Sequence, residues 1–306
     1  MTASIGIRAY QVTVNKKGDR ALTRFDSTEL RVRVPEFISR FVSKNAAAVQ
    51  NTELERSWFF DPKEEDGLGG TKGYVQYGTY GFESNLVNNK TKEKNYRRKI
   101  DDVEEIPLFY EFWLPGAANF GLIAFQSFQG RSCISIVMAK MREAFEEANP
   151  GYRMQYKKLL PSDVRGGAYY GAPVKRLRFI RRAAPSDITD RYLPNGSGGV
   201  DFEVSLTARR RRDLGNLASV FESLRSESGG VITHDGVGFN EAVAEVRIGN
   251  AIRRVGVFGS NSDAGVIDLT DVVAKGPDGH PTFDSMAEHS DAILKDFYEV
   301  LVGRSV

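Results

Sequence analysis

The chain has 306 residues and almost none of the residue types that advertise chemistry. Its single cysteine, Cys133, excludes an intrachain disulfide and any cysteine-based zinc cage. The three histidines, His234, His280 and His289, are isolated, and none has a ligand spacing such as H-E-x-x-H. No apolar run approaches the ~18 residues of a membrane span. The opening MTASIGIRAYQVTV has no basic region followed by an apolar one, so no signal peptide is expected. These absences point to the cytoplasm and away from a membrane partner. Gly67-Leu-Gly-Gly-Thr-Lys-Gly73 has the glycines and lysine of a phosphate loop without its spacing, and a strand follows where a helix is needed. It reads as a hairpin turn, and no cofactor is expected.

What is present suits a globular protein. Hydrophobic residues make up 41% and charged residues 27%, so global disorder is excluded. Alternation of apolar and polar residues predicts strands over 5–14, 30–34, 57–60, 74–82, 106–114 and 121–128, the first with a switch of phase that suggests a bulge. Pro35 is expected to open a helix over 36–49, and one apolar stripe predicts another over 131–148, stopped by Asn149-Pro150-Gly151. The polar stretch 83–105 reads as an exposed excursion. In the second half, strands are expected over 153–159, 174–180, 200–208, 242–248, 252–258 and 265–269, and helices over 214–224 and 283–302. Antiparallel hairpins broken by isolated helices give an α+β class: mixed, largely antiparallel sheet with the helices packed on one face. Residues 1–100 read as a β-rich region and 101–306 as an α+β region bearing the basic surface, either as two parts or as one continuous domain.

Charge is segregated along this chain. The net charge is +2, yet residues 153–212 hold 14 Lys/Arg against 5 Asp/Glu, and residues 90–99 hold six against one. The remainder therefore carries a net charge of −12. Such segregation creates a local positive field that a polyanion would feel. On a strand over 174–182, period two puts Leu177 and Phe179 on one face and Arg176, Arg178 and Arg182 on the other. Arginine suits phosphate because its planar fork donates two parallel hydrogen bonds and stays charged. A second reading competes: if strand 200–208 pairs with this one, Asp201 and Glu203 face the arginines as cross-strand ion pairs. Arg209, Arg210, Arg211 and Arg212 precede a predicted helix, whose free N–H groups and dipole favour an anion. Four adjacent arginines also repel one another without an anionic partner. Lys94, Arg97 and Arg98 lie in the 90–99 run, where an arm on a nucleic-acid backbone and a solvated loop tip are both open readings.

Other chemistry is weaker. Asp61-Pro-Lys63, after Glu53 and Glu55, has the residue types of a metal-dependent nuclease, but Pro62 interrupts the strand such a site occupies. Asp187 and Asp190 read more simply as acids in the first turn of a short helix capped by Ser186. No metal site is assigned. The aromatics Tyr110, Phe112, Trp113, Phe125 and Phe128 read as core rather than as a base-stacking sheet, and their order does not match the usual RNA-recognition pattern. The leading expectation is a non-enzymatic protein that binds the phosphate backbone of DNA or RNA, an accessory or defence-type bacterial component in general character only. A metal-dependent nuclease is the first alternative. A protein-interaction subunit, docking a partner or a second copy of itself, is the second.

Overall fold

Every strand pairing with a described register is antiparallel. The structure is a computed structural model that describes residues 4–51, 54–65, 70–159, 171–181, 200–226, 232–234, 237–239, 241–248, 251–258 and 265–303. Among these residues the fold is mostly antiparallel sheet with four helices, broadly α+β as expected. The chain forms two compact units. The first comprises Met1–Ala9, Lys158–Val272 and Asp291–Val306, and the second comprises Tyr10–Lys157 and Val273–Ser290.

The second unit is built on β1 (Ile5–Lys16, from Tyr10 onward), β2 (Val49–Asn51), β3 (Arg56–Glu65), β4 (Gly70–Thr79), β7 (Glu104–Trp113), β8 (Phe120–Phe128) and β9 (Tyr152–Lys158). The order is β1-β8-β7-β4-β3-β2, with β9 also on β1. β1 is almost continuously buried, which explains why its apolar residues occupy odd and even positions alike. Helix α1 (Val34–Lys44) places Val34, Phe37, Ile38, Phe41 and Val42 on one stripe. Pro35 lies in its first turn, and the Asn45 amide closes its end by donating to the Phe41 carbonyl at 2.7 Å. The expected strand over 30–34 is absent. That segment is a turn, in which Leu30 N–H donates to Ser27 O and Val32 N–H to Asn149 Oδ1.

Phe41 meets Phe60 on one face of this sheet, and Phe37 meets Phe145 of α2 (Ile134–Ala148). Phe60 also packs edge-on against Trp58, Tyr110 and Phe112, all fully buried. The aromatic-rich hairpin is therefore core, as its sequence suggests. Tyr74 and Phe109 point to the other face and receive Phe283, the first residue of α4 (Phe283–Gly303). Helices thus lie on both faces in this unit, which departs from the expected one-sided packing. A single buried face would alternate strictly, but β7 is buried through five consecutive residues, Leu108 to Phe112.

β3 runs through Pro62 because the ladder with β4 shifts register between Pro62 and Glu64. At that bulge the backbones crowd, and a side chain on Gly73 would meet the Asp61 carbonyl and the Pro62 Cα. The polar excursion is partly ordered as a separate ribbon, β5 (Ser84–Val87) paired with β6 (Lys94–Arg98).

In the first unit the order is β11 (Phe202–Thr207), β10 (Val174–Arg181), β14 (Glu241–Ile248), β15 (Ala251–Phe258), β16 (Ile267–Asp268), β1. One face carries Leu177, Phe179, Ala244, Val255 and Ile267, all buried. The hairpin of β12 (Ile232–His234) and β13 (Val237–Phe239) brings Phe239 within 5.9 Å of Phe179 and 6.0 Å of Phe202. The opposite face carries charge, and Arg176 and Arg178 stand on it. Helix α3 (Leu217–Ser226) buries Leu217, Val220 and Phe221.

Candidate nucleic-acid interface

The alternation of β10 falls as the sequence predicts, with Leu177 and Phe179 buried and Arg176 and Arg178 on the charged face. Arg182 lies outside the described residues. Register sets the neighbours of Arg176: Thr207 on β11 and Glu245 on β14 stand directly opposite it. Its Nε donates to Thr207 Oγ1 at 3.3 Å, and its Nη1 lies 3.7 Å from Glu245 Oε1. Glu245 in turn faces Arg254 on β15 (3.5 Å), and Arg254 faces Asp268 on β16 (3.5 Å) while reaching Asp271 at 3.0 Å. One row across five strands therefore reads Thr207, Arg176, Glu245, Arg254, Asp268. Burial opposes the charge on Arg254, but Asp268, Asp271 and Glu245 together hold its pKa above the ordinary value.

Arg178 is engaged more loosely. Its Nη1 is 3.8 Å from Glu203 Oε2, and Glu203 sits opposite Ile180, one diagonal step away. The cross-strand reading with strand 200–208 thus touches Arg178 through Glu203 and does not reach Arg176, which stands opposite Thr207 there. The acid that captures Arg176 is Glu245, on the opposite neighbour from the one sequence reasoning considered. Glu245 and Arg254 were missed, although alternation within Glu245-Val246-Arg247 already placed Glu245 on a polar face.

Arg209, Arg210, Arg211 and Arg212 are all exposed. They form a turn in which Arg212 N–H donates to Arg209 O and Arg211 has a φ of 62°. β10 pins the turn: Ala208 N–H donates to Lys175 O, Leu214 N–H to Val174 O, and Lys175 Nζ to Arg212 O at 2.7 Å. None of the four has an ion-pair partner among the described residues. α3 begins at Leu217, later than the expected start at 214. Asn216 Oδ1 already accepts the N–H of Ser219 at 2.8 Å. The helix end is therefore set apart from the arginines, and the turn carries its charge by itself.

On the ribbon, Lys94 is exposed and Arg97 pairs with Glu83 at 2.6 Å. Arg98 is buried. It donates to the carbonyls of Thr79 and Asp102, lies 3.4 Å from Glu104, and stacks over Phe82 at 4.1 Å. Its guanidinium is committed inside the protein and fastens the ribbon base, so it offers no fork to a phosphate.

The weaker candidates fall apart spatially or lie outside the described residues. Lys63 pairs with Asp61 at 3.0 Å on the exposed end of β3. Glu53, Asp187 and Asp190 lie outside the described residues, as do Gly67, Leu68 and Gly69. His280 packs against Phe128 with the rings tilted, 4.6 Å between ring centres. Cys133 is fully buried, and burial pushes its thiol up to about 12, far from a nucleophile's range. Among the described residues, no group of three or more His, Cys, Asp or Glu is placed to hold a metal ion. Among them, no helix is long and apolar enough to cross a membrane. A groove of about 820 Å³ runs beside α1 over Pro35, Ile38 and Pro115, with Glu36 and Arg40 on its rim already paired to each other. No protein-family model matches the chain, and no curated protein matches it.

Proposed function

We propose that this chain is a cytoplasmic protein that binds the phosphate backbone of a nucleic acid without catalysing a reaction on it. The observation that supports this reading is the turn at 209–212. Four adjacent exposed guanidinium groups, held on a fixed backbone and without ion-pair partners among the described residues, repel one another and gain from an anion. Arg178, with a quarter of its side chain exposed and only a 3.8 Å acid contact, is a secondary contact. Arg176 is left out of the core of the interface because its guanidinium is engaged on both sides, donating to Thr207 Oγ1 and lying beside Glu245, which it shares with Arg254.

Gel retardation with duplex DNA and with RNA of the same sequence, at low and high salt, with and without magnesium, tests the reading. Retardation at low salt that weakens as salt rises, with the nucleic acid intact, is the expected result. Cleavage that requires magnesium would replace it with the nuclease alternative. No retardation at any salt concentration would overturn it.

A further inference from the structure

The β5–β6 ribbon exposes more apolar surface than a stable two-stranded element explains. Leu86 and Tyr96 stand directly opposite each other, so they share a face, and they are 55% and 48% exposed. Val87 ends β5 at 53%, and Ile100, just past β6, is 56% exposed. Two strands alone are marginal in water, and a third strand or a packed face is the usual remedy. Among the described residues neither β5 nor β6 pairs with another strand. Each therefore presents an outer row of backbone N–H and C=O groups to a newcomer.

The ribbon is nonetheless firmly mounted. Arg98 grips Thr79, Asp102 and Glu104 beneath it, and Tyr96 O–H donates to Asp102. Its tip carries Lys90, Lys92 and Lys94, exposed and without ion-pair partners among the described residues. An edge, an apolar pair and unpaired lysines are thus held together on a fixed arm.

We propose that this ribbon docks an extended, acidic segment of a partner protein, which adds a third strand. Its backbone would continue the ladder, its alternate apolar side chains would cover Leu86 and Tyr96, and its carboxylates would meet the lysines. A second copy of the chain fits poorly, because ribbon against ribbon sets Lys94 and Arg97 against like charges. A polynucleotide or a lipid surface supplies anions but no backbone ladder for the open edge.

The test uses the full chain and a fluorescent peptide of about ten residues that alternates glutamate with valine and leucine, long enough for one strand. Saturable binding is expected, roughly tenfold weaker in high salt, with new hydrogen-exchange protection confined to residues 84–98. A peptide with lysine in place of glutamate should bind at least roughly tenfold more weakly. Leu86→Asp combined with Tyr96→Asp should abolish binding. Because that pair of changes can unfold the ribbon, Lys92→Glu with Lys94→Glu at the tip provides a second loss that leaves the apolar pair in place. Arg210→Ala with Arg211→Ala should leave peptide binding unchanged, which separates this site from the nucleic-acid reading. The proposal is overturned by absence of acidic-peptide binding, by equal binding of the lysine peptide, or by protection elsewhere in the chain. It is also overturned if phosphatidylserine vesicles, duplex DNA or a second copy of the chain occupies the ribbon in the peptide's place.

Discussion

Arg176 on β10 and Glu245 on β14 face each other across one rung of the first unit's sheet, Nη1 to Oε1 at 3.7 Å. Glu245 is shared with Arg254, which also holds Asp268 and Asp271. Arg254 therefore matters more to stability than Arg176, whose loss leaves Glu245 a second cation. Replacing Arg254 with Ala strands Asp268 and Asp271 and leaves Glu245 only Arg176. Since Arg254 is about a third exposed, solvent screening limits the expected loss to about 1 kcal/mol. Urea unfolding should show a lower midpoint for Arg254→Ala than for Arg176→Ala, and Arg254→Ala with Glu245→Gln should lose less than the sum of the two. Equal midpoints for Arg254→Ala and the parent would show that the row contributes nothing to stability.

Gly73 sits where β4 passes the β3 bulge. A Cβ there would lie 2.8 Å from the Pro62 Cα and press on the Asp61 carbonyl, both backbone atoms that cannot swing away. Gly73→Ala should therefore destabilise by about 1–3 kcal/mol, the usual range for overpacking. Gly130, whose added Cβ would meet nothing within 4 Å, is a poor control because its φ of 77° strains any other residue. Gly171 has neither problem, and Gly171→Ala should leave the thermal midpoint near that of the parent. A Gly73→Ala protein as stable as the parent would mean that the bulge relaxes at no cost.

Much of this architecture was legible because alternation survives wherever one face is wet. β10 is the clearest case: Leu177 and Phe179 inward and Arg176 and Arg178 outward follow from period two alone. The reading weakened where both faces are covered. β1 and β7 lose their alternation, and with it any sign that helices pack on both sides of the second unit's sheet. Pro62 looked like a strand breaker and proved compatible with a bulge, which only the partner strand reveals. The charged face shows a different limit. Composition marks a basic stretch of sequence, but which arginine meets an acid depends on registers with Glu245 and Asp268, some seventy and ninety residues away in sequence. Arg98 is the sharpest instance. Among six Lys/Arg within ten positions nothing singles it out, yet it alone turns inward to the Thr79 carbonyl and the Phe82 ring.

Asp102 makes the ribbon base sensitive to acid. It accepts hydrogen bonds from the Lys99 backbone N–H at 2.7 Å and from the Tyr96 hydroxyl, and these, in that order, hold its carboxyl below the usual range. A depressed carboxylate stabilises the fold above its ordinary pKa of about 3.9, and that contribution is lost as pH falls through the lower folded value. Amide exchange across β6 should therefore quicken below that pH while the buried β7 amides stay protected. In Asp102→Asn, β6 exchange should be fast at neutral pH already and show no acid transition. An acid transition that persists in Asp102→Asn would assign it to another group.

The turn at 209–212 offers the most direct contrast between its two readings. Arg210 and Arg211 are exposed and, among the described residues, unpaired, so replacing both with Ala removes charge without breaking an interaction that holds the fold. Stability should change by less than about 0.5 kcal/mol, as for most surface substitutions. Lys175 still closes the turn through the Arg212 carbonyl, a backbone atom that the substitutions do not touch. Affinity for nucleic acid should fall, and the slope of log affinity against log salt should shrink by about 0.9 for each duplex phosphate that is no longer neutralised. Arg176→Ala provides the complementary case: it removes a cation already held by Glu245, so the salt slope should stay near that of the parent. If the double variant instead unfolds at lower temperature while binding with an unchanged salt slope, the arginines serve the fold and the anion belongs elsewhere.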